Sequence, residues 1–173
     1  MKPDLIDRVR YRVAQTAVGP SALRNQGGPN VVQRARRFLG RIDLNTFNVR
    51  AEARFRAQLD ESTAELQSYL PQGARNWGTV RKALNLFLRD VAYAHYLRER
   101  YSFERLEPWL EVPLDSLTAA GIARSRQGRA VPRWPGVKHL TLAVSDIYQA
   151  AAARIALAEG IHRVHLDLTW WQA

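Results

Sequence analysis

Apolar residues recur at three- and four-residue intervals through most of this 173-residue chain, and no series of alternating apolar and polar segments appears. That spacing buries one stripe of a helix and cannot line one face of a sheet. It predicts an all-α fold. Helices are expected over 4–18, 31–40, 46–60, 62–70, 79 to about 100, 115–125 and 145–160. Gly19-Pro20, Gly40, Pro71 and Gly160 serve as stops, and Asn30 and Ser145 as N-caps. The segment 103–112 is short and broken by Pro108, and 126–136 is a basic loop with two prolines. "VHLDLTWW" (164–171) fits a helix or a strand by pattern alone. A chain of this length is expected to form one domain, spanning 1–173.

Charge narrows the class of partner. The chain holds 26 Lys and Arg against 16 Asp and Glu, a net charge of +10. Such an excess points to a polyanion, with nucleic acid ahead of an anionic membrane. Cysteine is absent, which removes disulfide frameworks, Cys–zinc sites, Fe–S clusters and cysteine nucleophiles together. No apolar run approaches 18 residues and no charged-then-apolar leader starts the chain. The expectation is a soluble, cytoplasmic protein associated with the nucleoid.

Only three of the 26 cations are lysine: Lys2, Lys82 and Lys138. Lys82 stands near the start of an apolar helical run, in "NWGTVRKALNLFLRD" (76–90). A lysine amine can lose its proton and act as a nucleophile, whereas guanidinium stays protonated. Arg81 and Arg89 would favour the neutral amine if they faced it. In "EVPLDSLTAAGIAR" (111–124), Pro113 fixes the chain before Asp115, which then sits at a helix N-terminus, where the dipole favours a carboxylate. In "GIHRVHLDLTWW" (160–171), Asp167 and Trp171 share one helical face at (i, i+4) spacing.

With these three segments in this order, residues 70–171 resemble the helix-hairpin-helix DNA glycosylases. "VPLDSLTA" is similar to the segment that carries the catalytic Asp in that superfamily, and "NWGTVRKALNLFLRD" to the segment that carries the catalytic Lys. The 33-residue gap between Lys82 and Asp115 resembles the archaeal 8-oxoguanine glycosylase branch. That branch continues into a "G-I-P-P-x-H-L-D-x-x-x-W"-like segment, matched here at Gly160, Ile161, His165, Leu166, Asp167 and Trp171. His162 and Arg163 replace its prolines, and the hairpin reads "LPQGARNWG" where the family has "L-P-G-V-G".

The resemblance implies a helical glycosylase-like fold with a central cleft and its hairpin near 70–93. It implies Lys82 as nucleophile, Asp115 as catalytic acid, and Asp167 and Trp171 in the base pocket. The reaction implied is excision of a modified, 8-oxoguanine-like base, with abasic-site lyase activity through a Lys Schiff base. Removal of hypermodified (glucosylated hydroxymethyl) cytosine in antiphage defence is an alternative, as is a basic helical module that binds nucleic acid without chemistry. The partner expected is double-stranded DNA containing a modified base, met by a monomer, with no membrane, cofactor or metal.

A flipped base requires anchors on the flanking backbone. Arg75, Asn76, Gly78 and Thr79, at the turn before the Lys82 helix, are candidates, because helix N-termini hold phosphates. Arg129 and Arg133 in the basic loop are two more, and Gln33 and Gln149 are possible base readers. Trp77, Trp109, Trp134 and Trp170 are expected in packing roles, and His165 in a structural hydrogen bond.

Overall fold

The computed structural model describes residues 4–20, 22, 23, 27 and 30–171. Among these there are nine α-helices and no strand. They are α1 (Leu5–Ala17), α2 (Val31–Leu39), α3 (Glu52–Tyr69), α4 (Trp77–Tyr93), α5 (His95–Arg100), α6 (Phe103–Leu106), α7 (Ser116–Arg124), α8 (Leu142–Glu159) and α9 (Leu166–Trp171). Short 3-10 turns fill several of the connections. Among the described residues, no helix is long and apolar enough to cross a membrane.

Several boundaries depart from the sequence pattern for identifiable reasons. The helices expected over 46–60 and 62–70 are one helix, α3, preceded by a 3-10 turn at Leu44–Phe47. Ser62 and Thr63 interrupt the apolar spacing, yet both are buried. The Thr63 hydroxyl donates to Leu59 O at 2.7 Å and accepts from Arg81 Nη1 at 2.8 Å, so the helix continues through polar residues that are fully paired. The helix expected from 79 to about 100 is two, because Ala94 is extended (φ −82°, ψ 101°) with no Gly or Pro to mark the break. Helix α8 starts at Leu142, capped by Thr141, whose hydroxyl accepts from Val144 N at 3.3 Å. Ser145 is buried inside it. Asn30 precedes α2 in the left-handed region (φ 64°) and makes no side-chain cap. The ambiguous last segment is a 3-10 turn followed by α9.

Two apolar clusters hold the chain. The first joins α1 to α6, centred on residues such as Leu39, Phe47, Phe55, Leu84 and Phe87. The second joins α7 and α8 with Val112, Leu114, Leu140 and Leu166, and Trp77, Trp134 and Trp170 pack on it. Residues 109–114 run between them and are pinned one after another. Arg163 donates to Trp109 O (2.8 Å) and Leu110 O (2.9 Å). The Glu111 carboxylate receives Arg81 through two N–H groups (2.9 and 3.0 Å) and Asn85 at 2.9 Å. Gln149 takes the Val112 N–H at 3.1 Å and donates to its carbonyl at 2.8 Å. That corrects Gln149 as a base reader: it is 2% exposed and committed to backbone.

Arg81 and Glu111 are each 2% exposed at the side chain. Burial would push the Glu111 carboxyl up, but Arg81 and Asn85 outweigh it and hold it below the ordinary glutamate range. Asp60 Oδ1 lies 2.9 Å from Arg81 Nη1, close enough for an ion pair but out of hydrogen-bond alignment. Removing one member of a buried pair strands the other charge, whereas removing both does not. Glu111→Gln should therefore lower stability by about 3 kcal/mol in urea unfolding. Arg81→Met combined with Glu111→Leu should recover most of that loss. A double variant as unstable as the single would show that the charge itself is not the origin.

Candidate active site

Helix α4 sorts its polar residues by its own period. Arg81 and Asn85, at (i, i+4), face Glu111. Lys82, Leu86 and Arg89, at (i, i+4, i+7), form the neighbouring stripe and line a cavity of about 430 Å³. Pro113, Asp115, Leu117 and Thr118 form a second wall, and Asp167 and Leu168 of α9 a third. The fourth comes from the N-terminal segment, through Thr16, Ala17, Gly19 and Ala22. The cavity thus opens at the seam between the two apolar clusters. Lys82 sits in the second turn of α4, near the start of the run as the pattern has it.

Lys82 Nζ lies 3.2 Å from Asp115 Oδ2. The lysine side chain is 11% exposed and the aspartate 34%, so the amine is shielded while the carboxylate keeps an opening to solvent. Asp115 is also the N-cap of α7: its Oδ1 accepts from Leu117 N and Thr118 N, both at 3.0 Å. One oxygen is thereby fixed by the helix start and the other is left for Lys82. Burial pushes the Asp115 carboxyl up, but the Lys82 ammonium and the Thr118 N–H prevail and hold it below the usual range.

Asp167 faces the same space. Arg89 Nη1 pairs with its Oδ2, and the remaining Arg89 N–H groups reach Asp90 at 2.7–2.8 Å. Asp167 Oδ1 is buried without a hydrogen-bond partner among the described residues. Burial pushes this carboxyl up, opposed by Arg89 and assisted by Asp115 and Asp90, and the net shift is upward. Helix α9 is held at its start by His165, which meets Tyr93 Oη at 2.8 Å through Nδ1 and Glu107 at 2.9 Å through Nε2. Burial, with Asp167 nearby, pushes the Tyr93 hydroxyl up to about 12. Further along α9, Trp170 packs against Gly121 so closely that a Cβ there would meet the ring at 2.3 Å. The Trp171 side chain, expected in the pocket, lies outside the described residues.

The proposed backbone anchors fare differently. Gly78 and Thr79 are buried and cannot touch DNA, which corrects their assignment. Gly78 is small because α4 abuts the 137–140 turn there: a Cβ would lie 2.4 Å from Val137 O and 2.6 Å from the Leu140 Cβ. Arg75 is exposed, but its guanidinium closes the end of α3, donating to Leu70 O (2.8 Å) and Ser68 O (2.9 Å). Asn76 is half-buried at the start of α4 and makes no side-chain cap there. Arg129 and Arg133 are exposed on the loop after α7 and do not line the cavity. Gln33 is exposed on α2, also outside it. Arg81, expected as a neighbour of the amine, is turned away into its pair with Glu111. Thr16, Ala17, Gly19 and Ala22 carry no motif and were not legible as wall residues.

Neither a protein-family model, nor a curated protein, nor a solved structure matches this chain.

Capping and charge at Asp115 are separable. Asparagine caps as well as aspartate, so Asp115→Ala should be about 1 kcal/mol less stable than Asp115→Asn in urea unfolding. Because the folded carboxyl is held low, its ionic contribution is complete above the unfolded value of about 3.9 and is lost as pH falls through the lower folded value. The stability gap between wild type and Asp115→Asn should therefore close as pH falls below about 4. A gap that widens on acidification would contradict this.

Proposed function

We propose that this chain is a DNA N-glycosylase with abasic-site lyase activity, in which Lys82 is the nucleophile and Asp115 its proton acceptor. The observation that carries this reading is the 3.2 Å approach of Lys82 Nζ to Asp115 Oδ2 inside a cavity that also holds Asp167. A donor and acceptor at that distance can exchange a proton, and because the resting site favours ammonium and carboxylate the transfer has to be driven by formation of the bond to C1′. The α3, 70–76 turn and α4 arrangement supports a helix-hairpin-helix architecture. The cavity volume of about 430 Å³ is within the range that encloses small ligands such as a flipped base.

The chemistry follows from these positions. As Lys82 Nζ passes a proton to Asp115, its lone pair attacks C1′ of the flipped nucleotide. The glycosidic C1′–N bond breaks, and the base leaves with the electron pair and takes up a proton. Opening of the C1′–O4′ bond, with protonation of O4′, leaves a Schiff base between Nζ and C1′. Loss of a C2′ proton and departure of the 3′ phosphate then cleave the strand. Asp167 Oδ1, buried and without a partner among the described residues, offers an acceptor for an N–H on the base. An enzyme of this kind works where the DNA is, at the nucleoid.

Borohydride should trap a covalent adduct between the protein and a duplex carrying a susceptible modified base such as 8-oxoguanine. Lys82→Gln should abolish the adduct and retain duplex binding. Asp115→Asn should slow base release by about 100-fold or more. Duplex binding with no base released from a panel of modified substrates would leave a binding module and remove the enzyme. Base release without an adduct would remove Lys82 as nucleophile.

A further inference from the structure

Positive charge is concentrated where the cavity chemistry does not use it. Residues 1–41 hold nine basic residues against two acidic ones, a net +7 of the chain's +10. Between α1 and α2 lies a concavity of about 330 Å³, lined by Tyr11, Gln15, Gln33, Arg36, Arg37 and Arg41, with Gly40 beside them. No carboxylate lines it. Arg36 spends its Nε–H on Val18 O at 2.8 Å. Arg37 and Arg41 are exposed and form no ion pair with any described residue. They stand at (i, i+4) around the end of α2, a spacing at which like charges repel. On the α1 side these arginines have no carboxylate on the same wall, so the charge there is open to an external anion.

The neighbouring concavity shares Arg37 and Arg41 but also has Asp43, Glu61 and Glu65, which repel phosphate. The anion is therefore sought on the α1 side. There the lining matches what a phosphate backbone takes: guanidinium forks for the charged oxygens, with a phenol and two amides as neutral donors. Helix α1 also ties this groove to the reaction cavity. Tyr11 and Gln15 face the groove, while Thr16 and Ala17 face the cavity. Residues 11 and 16 are separated by about 7.5 Å along the helix axis. Phosphates recur about every 3.4 Å of duplex axis on each strand. A strand whose nucleotide enters the cavity can thus have a phosphate within about two positions of the groove.

We propose that the α1–α2 groove is a second DNA-binding site, where Arg37 and Arg41 grip the phosphate backbone independently of sequence. It rests on the glycosylase reading for DNA as the partner and for a nucleotide in the neighbouring cavity, whereas the charge of the groove does not depend on that reading. The test is the affinity for an unmodified duplex, measured by fluorescence anisotropy across a salt series. Arg37→Gln/Arg41→Gln should bind about ten-fold more weakly near physiological salt, and the slope of log affinity against log salt should fall by about two, one per phosphate lost. Arg37→Lys/Arg41→Lys, which keeps the charge, should retain the slope. Thermal unfolding checks that both variants are folded; if the Gln pair is not, Arg41→Gln alone should lower the slope by about one. An unchanged slope in a folded variant, or a wild type with no salt-dependent binding, overturns the proposal. Borohydride trapping on saturating modified duplex separates the two readings. No adduct from wild type with the slope difference intact sinks the glycosylase and leaves the groove. An adduct with equal slopes does the reverse.

Discussion

The buried pairing of Arg81 with Glu111 is the constraint from which the rest of the site is built. It joins α4, the long helix of the first cluster, to the linker that leads into the second. Ion pairs in an interior are weak sources of net stability, because both charges lose their water. Their value is geometric: a bidentate guanidinium–carboxylate contact accepts few orientations. With Arg163 holding the carbonyls before it and Gln149 clamping the residue after it, Glu111 is the middle of three consecutive ties on the linker. Asp115 follows four residues later, after the rigid φ of Pro113.

The cavity receives a different balance of charge from the interior pair. Lys82, Asp115, Arg89 and Asp167 bring two positive and two negative groups to its walls, each cation already matched with a carboxylate. A matched set of this sort lets polar groups persist in a partly closed space without a large net field. It also leaves the two carboxylates unlike one another. Asp115 is held low by an ammonium and helix amides, while burial drives Asp167 up despite Arg89. Divergent environments for paired titratable groups are a recurrent property of reactive sites.

Much of this could be read along the chain where the signal was local. The all-helical class followed from spacing, Asp115 as a cap from its place after Pro113, and the packing role of Trp170 from its neighbours. What could not be read depended on contacts far apart in sequence. Gly78 looks like part of a phosphate-binding turn until the 137–140 turn covers it, and Thr79 beside it is buried as well. Arg75 looks like an anchor until the carbonyls at the end of α3 claim it. Ser62 and Thr63 look like a helix break until Arg81 arrives to pair with the threonine. The N-terminal wall of the cavity had no pattern at all, because it is made of small residues such as Ala17 and Gly19 that carry no chemical signature.

The adjacency of Arg81 and Lys82 has a mechanical corollary. Neighbouring side chains on a helix diverge by about 100°, so the two cannot be adjusted separately by turning α4. Any rotation that advanced the amine would pull the guanidinium off Glu111, and α4 is in effect keyed in place like a shaft in its slot. Motion at the amine is left to the four-carbon stem of Lys82 itself. A ligand must therefore be carried to a stationary helix, and whatever closes around it has to come from the other walls.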